Sequence, residues 1–323
     1  MGASPQTEVI VRPLVESDLP EAARIIRLAF CTFLGFAPDD PRWPADLDAS
    51  SGRWRADPSS VLAAEFDGKL VGSNFAARWG SFGFFGPLTV DPGFWNRGVA
   101  QQLLGPTMEI FSGWGMRHLG LFTFAQSPKH ISLYQKFGFW PRDLVAVMTK
   151  QVISASPAPA AGSSLFSEAK SNDKPQLLAT CRELTGALFD GLDLEREILA
   201  VAEQNLGDTV LLHDGSRLAA FAIYNAGPGT EAGSGVCYVK FAAVHPGAYA
   251  GRDFLRLLEA IEPYAHKAGA KKIIAGVNLA RREAFHQMIA LGFRIELQGV
   301  AMETGVASSG YNRAGVYILD DWR

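Results

Sequence analysis

Apolar positions along the first half of the chain recur with two different periods. Runs in which every second residue, or every residue, is apolar predict β-strands, and apolar residues that return every three or four positions predict amphipathic helices. On this pattern we expect strands at 8–12, 60–66, 69–77, 82–90, 118–125 and 139–150. We expect helices after Ser17-Asp18, near 45–54, at 98–111 with an end at Gly113, and from Ser127 to Gly138. Gly105-Pro106 should kink the third helix or break it early.

A similar succession of patterns returns in the second half. It follows a segment at 152–163 whose Ser, Pro and Ala content is typical of a linker. We expect helices at 174–188, 194–204, 252–267 and 281–290, and strands at 209–213, 217–224, 237–244, 271–277, 293–302 and 316–319. The chain is therefore interpreted as a first domain at 1–151, a linker, and a second domain at 164–323.

Two landmarks recur at one spacing, which indicates an internal repeat. Val90–Trp95 reads Val-Asp-Pro-Gly-Phe-Trp, and Val244–Tyr249, 154 residues later, reads Val-His-Pro-Gly-Ala-Tyr. Gly292-Phe293 follows Gly138-Phe139 by the same 154 residues. Because two independent landmarks share one offset, we interpret the chain as a tandem repeat of whole domains.

Composition narrows the class of protein. A length of 323 residues suits two domains, and 48% hydrophobic with 20% charged residues suffices for two cores. A net charge of −3, with both signs mixed along the chain, argues against a nucleic-acid partner. Cys31, Cys181 and Cys237 lack disulfide or ligand spacing, so we expect buried thiols and no metal. With neither a signal peptide nor an apolar run of bilayer length, we expect a cytoplasmic protein without a membrane partner.

The stretch Leu88–Gln101 carries the first candidate chemistry. An apolar strand leads into the turn Asp91-Pro92-Gly93, and a helix follows from about Gly98. Free N–H groups and the positive dipole end at a helix N-terminus bind phosphate. Gly98 and Ala100 lack bulk, so a pyrophosphate can approach the main chain. The stretch predicts an anion-binding loop, with a tight strand–helix turn that binds nothing as the alternative.

Two motifs together resemble the GCN5-related N-acetyltransferase (GNAT) superfamily. The loop Trp95–Ala100 reads Trp-Asn-Arg-Gly-Val-Ala, against the family pattern Gln/Arg-x-x-Gly-x-Gly/Ala, and departs from it only at Trp95. Tyr134–Phe139 reads Tyr-Gln-Lys-Phe-Gly-Phe and matches Tyr-x-Lys-x-Gly-Phe completely. The resemblance covers the first half in its motifs and the whole chain in its pattern of elements. It implies an α/β fold, or more closely an α+β mixed sheet flanked by helices, present as two tandem GNAT-like domains.

The resemblance also implies a substrate and its contacts. Acetyl-CoA would be the acyl donor, lying where two parallel strands separate. Main-chain amides would cradle its pyrophosphate, and these belong to Asn96, Arg97, Gly98, Val99, Ala100 and Gln101. The backbone of Leu88 and Val90 would pair with its pantetheine arm.

Tyr134 is the residue that we expect to take part in chemistry. Direct attack of an amine on the thioester expels a thiolate, and a phenol can supply the proton that this leaving group needs. The alternative is a core aromatic at the helix–sheet contact. We interpret His130 and Lys136 as solvated helix residues. The strand at 81–87 offers no carboxylate, and Asp91 is interpreted as a turn residue, so a water relay, or no dedicated base, would serve the amine.

The second copy has lost the motif residues. At the offset of 154, Gly98-Val99-Ala100 becomes Arg252-Asp253-Phe254, which would fill the phosphate space and bring in a carboxylate. Tyr134 becomes Met288 and Lys136 becomes Ala290; a shifted register at Gly251 could restore part of the loop but not the tyrosine. We therefore expect one acetyl-CoA site per chain, in the first domain.

The resemblance implies an N-acetyltransferase whose acceptor is a small-molecule or peptide amine. A non-catalytic acyl-CoA-binding or sensor protein, and a scaffold that binds no coenzyme A, are the competing hypotheses. A tandem pair could act as a monomer or form a homodimer.

Overall fold

The computed structural model describes residues 8–37, 39–40, 43–152, 160–305 and 309–322. The first half contains β1 Ile10–Pro13, α1 Leu19–Leu34, α2 Ser51–Ala56, β2 Val61–Phe66, β3 Lys69–Trp79, β4 Phe82–Phe85, β5 Thr89–Val90, α3 Val99–Trp114, β6 His118–Phe124, α4 Pro128–Gln135 and β7 Phe139–Gln151. The second half contains β8 Ser163–Leu165, α5 Lys174–Leu188, α6 Glu195–Glu203, β9 Gly207–Asp214, β10 Arg217–Gly227, β11 Gly233–Val244, α7 Ala250–Lys267, β12 Lys272–Asn278, α8 Arg282–Ala290, β13 Arg294–Thr304 and β14 Ile318–Leu319. These elements confirm the α/β class, with a mixed parallel and antiparallel sheet.

All the strands belong to one twisted sheet that runs through both halves. Its order is β1-β2-β3-β4-β6-β13-β7-β12-β11-β10-β9-β8, with β5 paired to β3 and β14 paired to β11. β4 pairs with β6 in parallel, Phe82 facing His118. In the second half β11 pairs with β12 in parallel, Val236 facing Lys272. Each of these residues lies 154 positions from its counterpart, so the repeat holds at the level of individual strand pairs.

The two halves exchange strands β7 and β13. β13 of the second half lies between β6 and β7 of the first, and β7 lies between β13 and β12. At the centre Val145 faces Gly299, two residues that are themselves 154 positions apart. On either side of this pair, Phe124 faces Gly299 and Val145 faces Asn278. The outer residues Phe124 and Asn278 are also 154 positions apart. The sheet itself is therefore shared by the two halves, and the domain boundaries remain a prediction. Residues 153–159 of the expected linker lie outside the described residues.

Helices cover both faces of the sheet. Val61 and Ala63 of β2 pack with α1, whereas Leu62 and Ala64 pack with the face that α3 covers. Because alternate residues of a strand point to opposite faces, α1 and α3 lie on opposite sides of the first half's sheet. None of the helices in the described ranges is long and apolar enough to span a bilayer.

The third helix and the strand predicted at 82–90 differ clearly from the structure. α3 stays helical past Gly105 and Pro106 and ends at Trp114, with Gly115 as a left-handed cap at φ 64°, so the early break and the end at Gly113 are wrong. The proline removes one hydrogen bond, but the buried inner face of the helix still packs on the sheet. The predicted strand at 82–90 divides at Gly86-Pro87, because proline cannot donate to the ladder.

Candidate functional site

A cleft opens in the sheet where β4 and β6 stop pairing. The parallel ladder joins Phe82–Phe84 to His118–Gly120 and ends there. Beyond this point β5 turns to pair with β3, whereas β6 continues along β13 to Phe124. Side chains of α3 and α4 pack in one cluster with Phe85 of β4 and Leu121 of β6, the strands that border this gap.

The main chain of β5 presents polar groups to this gap. The Asp91 N–H donates to the Val71 carbonyl at 2.9 Å, so the odd-numbered residues point their peptide groups toward β3. By the same alternation, Leu88 and Val90 point their peptide groups away from β3, toward the gap. The Val90 carbonyl accepts a hydrogen bond from the Trp95 indole Nε1 at 2.7 Å. Trp95, the one departure from the family pattern, therefore fastens the loop to β5.

The loop that follows leaves a row of amide donors open. Gly98 adopts φ +80° and caps α3, and no side chain caps this helix end. Within the described residues, the N–H groups from Asn96 to Gln101 donate no hydrogen bond, and the first helical bond joins the Gln102 N–H to the Gly98 carbonyl at 3.1 Å. No atom lies within 4 Å of where a Gly98 Cβ would be. Six donors at a positive helix end, with open space in front of Gly98, fit a pyrophosphate.

Cationic side chains border the loop. The Lys129 Nζ donates to the Asn96 Oδ1 at 2.8 Å and lies 5.7 Å from the Trp95 ring centre. The Arg97 guanidinium lies 5.0 Å from the Phe94 ring centre. Lys129 belongs to α4 and was missed by the sequence reasoning, because only the fold brings α4 beside the loop.

Tyr134 lies in the wall of the same cleft. Ser127 begins its helix by accepting a hydrogen bond from the His130 N–H, and Pro128 fits the first turn. The Tyr134 ring is 8% exposed and lies 5.7 Å from the Phe85 ring, at the end of β4. Burial raises its pKa well above the ordinary value, opposed by a hydrogen bond with Thr123 of β6. The phenol therefore stays protonated at neutral pH and can act as a proton donor.

His130 is not the solvated helix residue that the sequence suggested. Its ring is half-buried and lies 4.9 Å from Phe33 and 6.2 Å from Phe124. Burial, helped by the charge of Lys129, lowers its pKa, so the imidazole is neutral at pH 7. His130 lies one helical turn before Tyr134, on the same face of α4. Lys136, by contrast, is exposed.

A buried charge cluster from both halves lies at the end of β4. The Arg53 guanidinium pairs with Glu231 at 2.5 Å and also donates to the Gly86 carbonyl. Lys240 reaches Glu231 at 2.7 Å and Glu197 at 2.8 Å. Burial alone would raise the pKa of Glu231, but Arg53 and Lys240 lower it to about 2. Glu231 is thus a fixed anion and a poor proton acceptor, and its place could not be predicted because it comes from the other half.

The second half arranges the equivalent positions differently. α7 begins at Ala250, three residues earlier than the offset from α3 predicts, so helix replaces the loop. Asp253 is buried and accepts hydrogen bonds from Arg252 and Arg256. Phe254 is fully buried in the core, with its ring 5.2 Å from that of Tyr317. Met288 stands fully buried at the position that corresponds to Tyr134.

Residues 22–139, which carry the loop and Tyr134, match the family model described as the acetyltransferase (GNAT) family. The first half is a GNAT domain. Members of this family are in general N-acyltransferases that take the acyl group from an acyl-CoA. No curated protein matches the chain significantly by sequence. Among the described residues, no three His, Cys, Asp or Glu side chains cluster as metal ligands.

Solved structures extend the GNAT fold to the whole chain. A candidate acetyltransferase from Pyrococcus horikoshii is 14% identical, with 99% of this chain and 97% of that one covered and a TM-score of 0.69. A GNAT protein from Sphaerobacter thermophilus is 17% identical, with 93% and 98% covered and a TM-score of 0.59. A tandem GNAT protein of the clavulanic acid pathway is 13% identical, with 93% and 100% covered and a TM-score of 0.55. At these identities the likeness establishes the tandem GNAT fold and no particular substrate.

Proposed function

We propose that the chain transfers an acetyl group from acetyl-CoA to a primary amine, in a single active site in its GNAT domain. The observation that carries this proposal is the row of open amide donors from Asn96 to Gln101, which lies at the same cleft as the buried phenol of Tyr134. The cleft edges of Leu88 and Val90 support the placement of the pantetheine arm between loop and phenol. Arg97 and Lys129 would add positive charge beside the phosphates.

Each residue then has one task in a direct transfer. Attack of the amine nitrogen on the thioester carbonyl forms the C–N bond, and the C–S bond breaks as its electron pair goes to sulfur. The Tyr134 hydroxyl donates its proton to that sulfur and is reprotonated from solvent. The nitrogen loses one proton to a base. Because a protonated phenol and a leaving thiolate meet in a water-poor cleft, the departing charge is neutralised where it forms.

We propose His130 as the base that accepts the nitrogen proton, in place of the water relay expected from sequence. It must be neutral to act, so kcat/KM should rise with pH through a pKa below about 6.5 and level off by pH 7. A His130→Ala variant should lose this rise of kcat/KM with pH, and its rate should fall by about 10²-fold. A Lys136→Ala variant should keep both the pH dependence and the rate of the wild type. Ionisation of the amine substrate affects the wild type and both variants alike. A rise of kcat/KM with pH therefore belongs to His130 only if it is absent from His130→Ala. Identical profiles would exclude this role.

Thiol release from acetyl-CoA tests the function itself. We expect the purified protein to release free coenzyme A thiol when a panel of primary amines and peptides is added, and to release little without an acceptor. A protein that binds acetyl-CoA in calorimetry yet gives no amine-dependent thiol would instead be the acyl-CoA-binding or sensor protein. A protein that neither binds nor reacts would contradict both readings.

A further inference from the structure

The second half contains a cleft of the same construction, and the chain itself fills it. β11 and β12 pair over Val236–Val239 and Lys272–Ala275 and then separate, as β4 and β6 do. β14 lies in this gap, antiparallel to β11, with Ile318 facing Ala243. The C-terminal segment thus adds a short strand at the place where the first cleft is open.

The segment engages the counterparts of the residues assigned to the pantetheine arm. Leu319 faces Ala242, and the Val244 N–H donates to the Tyr317 carbonyl at 3.1 Å. Ala242 and Val244 lie 154 residues after Leu88 and Val90. In the first cleft no described strand pairs with these edges across the gap, whereas in the second they pair with the main chain of the segment.

A buried arginine clamps the segment in place. Arg281, with no exposed surface, donates to the Ile318 carbonyl at 2.8 Å and to the Asp320 Oδ1 at 3.0 Å. The Tyr311 hydroxyl donates to the other oxygen of Asp320. Because an unpaired buried guanidinium is strongly unfavourable, the groove requires a carboxylate at this position.

The walls of the cleft are shaped to the segment. Gly276 of β12 lies so close to Asp321 that a Cβ there would overlap its side chain. The Tyr238 hydroxyl donates to the Asp321 Oδ1 at 2.9 Å. At the other end the Tyr317 hydroxyl would lie 2.9 Å from a Cβ at Gly251, in the first turn of α7. The shifted phosphate loop that Gly251 could have formed is therefore covered.

The segment then continues onto the first half. Trp322 packs against Phe82 with ring centres 4.9 Å apart, and a Cβ at Gly120 would meet its ring at 2.8 Å. Phe82 and Gly120 belong to β4 and β6, the strands that border the open cleft. One segment thus fills the second cleft and lies against the base of the first.

We propose that residues 317–321 are a built-in peptide ligand and that the second cleft is a peptide-binding groove. The groove selects an extended strand with an aromatic residue, two aliphatic residues and two carboxylates, of which the first meets Arg281 and the second meets Tyr238. Main-chain pairing supplies the affinity and the side-chain sites supply the selectivity, as in other complexes formed by strand addition. This inference needs the fold alone, so it stands or falls independently of acetyl transfer.

The test displaces the segment from the groove by mutation and then supplies the same sequence as a separate peptide. In the full-length protein, Ile318→Asp places a charge at a fully buried position and should release the segment. A labelled synthetic peptide with the sequence Gly315–Trp322 should then bind the variant, measured by fluorescence anisotropy. The wild-type protein should bind it at least 10²-fold more weakly, because its own tethered segment competes. Adding Gly276→Val should abolish peptide binding by filling the space of Asp321, whereas Ile274→Val, on the same strand, should not.

Hydrogen exchange on the wild-type protein keeps the proposal testable if Ile318→Asp fails to fold. Amides at 317–319 should exchange at least 10²-fold more slowly than an unstructured peptide, with or without acetyl-CoA. Unprotected exchange at these residues would overturn the proposal. Loss of their protection on adding acetyl-CoA would also overturn it, since the groove would then be a coenzyme site. A folded Ile318→Asp variant that does not bind the peptide would overturn it as well.

Discussion

Replacing Gly98 by aspartate is expected to abolish acetyl-CoA binding by the full-length protein. Gly98 caps α3, and the space in front of it is open. A carboxylate there would occupy the place of a phosphate oxygen and repel its charge. Two unit charges about 4 Å apart, at an effective dielectric constant of about 20, repel by about 4 kcal/mol. That energy corresponds to roughly a 10³-fold loss of affinity.

Gly98→Asn is the matched control for this variant. Asparagine has the size of aspartate and tolerates the left-handed conformation at φ +80° about as well, but it carries no charge. We expect Gly98→Asn to weaken binding moderately and Gly98→Asp to remove it, with both variants folded by circular dichroism. Titration calorimetry should give one acetyl-CoA per wild-type chain. Two equivalents in the wild type, or undiminished affinity in Gly98→Asp, would contradict a single site at this loop.

Replacing Tyr134 by phenylalanine is expected to lower kcat by about 10²- to 10⁴-fold, the usual contribution of a general acid. KM for acetyl-CoA should change little, because the ring and its packing against Phe85 remain. The loss reflects the proton that the leaving thiolate no longer receives. Since burial holds the pKa of Tyr134 above its ordinary value, the wild-type rate should show no alkaline decline from this residue below pH 10.

Tyr224→Phe controls for the removal of a buried hydroxyl as such. Tyr224 is 5% exposed, and its pKa is also raised by burial, but it lies in the second half. Its variant should keep the wild-type kcat. If Tyr134→Phe kept the wild-type kcat as well, while remaining folded, Tyr134 would be a core aromatic with no part in the chemistry.

Local features of the site could be predicted from the sequence because neighbouring residues determine them. A strand, a turn closed by Asp91, a left-handed glycine and a helix follow one another within fourteen residues, so the donors at Asn96–Gln101 come from one continuous stretch. Tyr134 is fixed by its position in a short helix that the cap at Ser127 begins. Neither feature requires knowledge of a distant partner.

Other parts of the site depend on partners far away in sequence. Lys129 reaches the loop only because α4 returns beside α3, and the partner of Arg53, Glu231, lies 178 residues further along. The burial of His130 depends on Phe33 at the end of α1. Periodicity predicted a strand at 316–319, but it could not show which strand this segment pairs with. The first two residues of α7, Ala250 and Gly251, were missed because the local sequence gives no sign that the helix begins there.

The exchange of β7 and β13 has a consequence for how such a chain could arise. Pairing that is symmetrical about Val145 and Gly299 is what two copies of one subunit form when each inserts the equivalent strand into the sheet of the other. Gene duplication with fusion would join such a dimer into one chain without altering any strand pair. Once joined, the copies are free to diverge in sequence but not to separate, because excising either would remove a central strand from its neighbour. The second domain can therefore lose its original ligand and still be kept by selection.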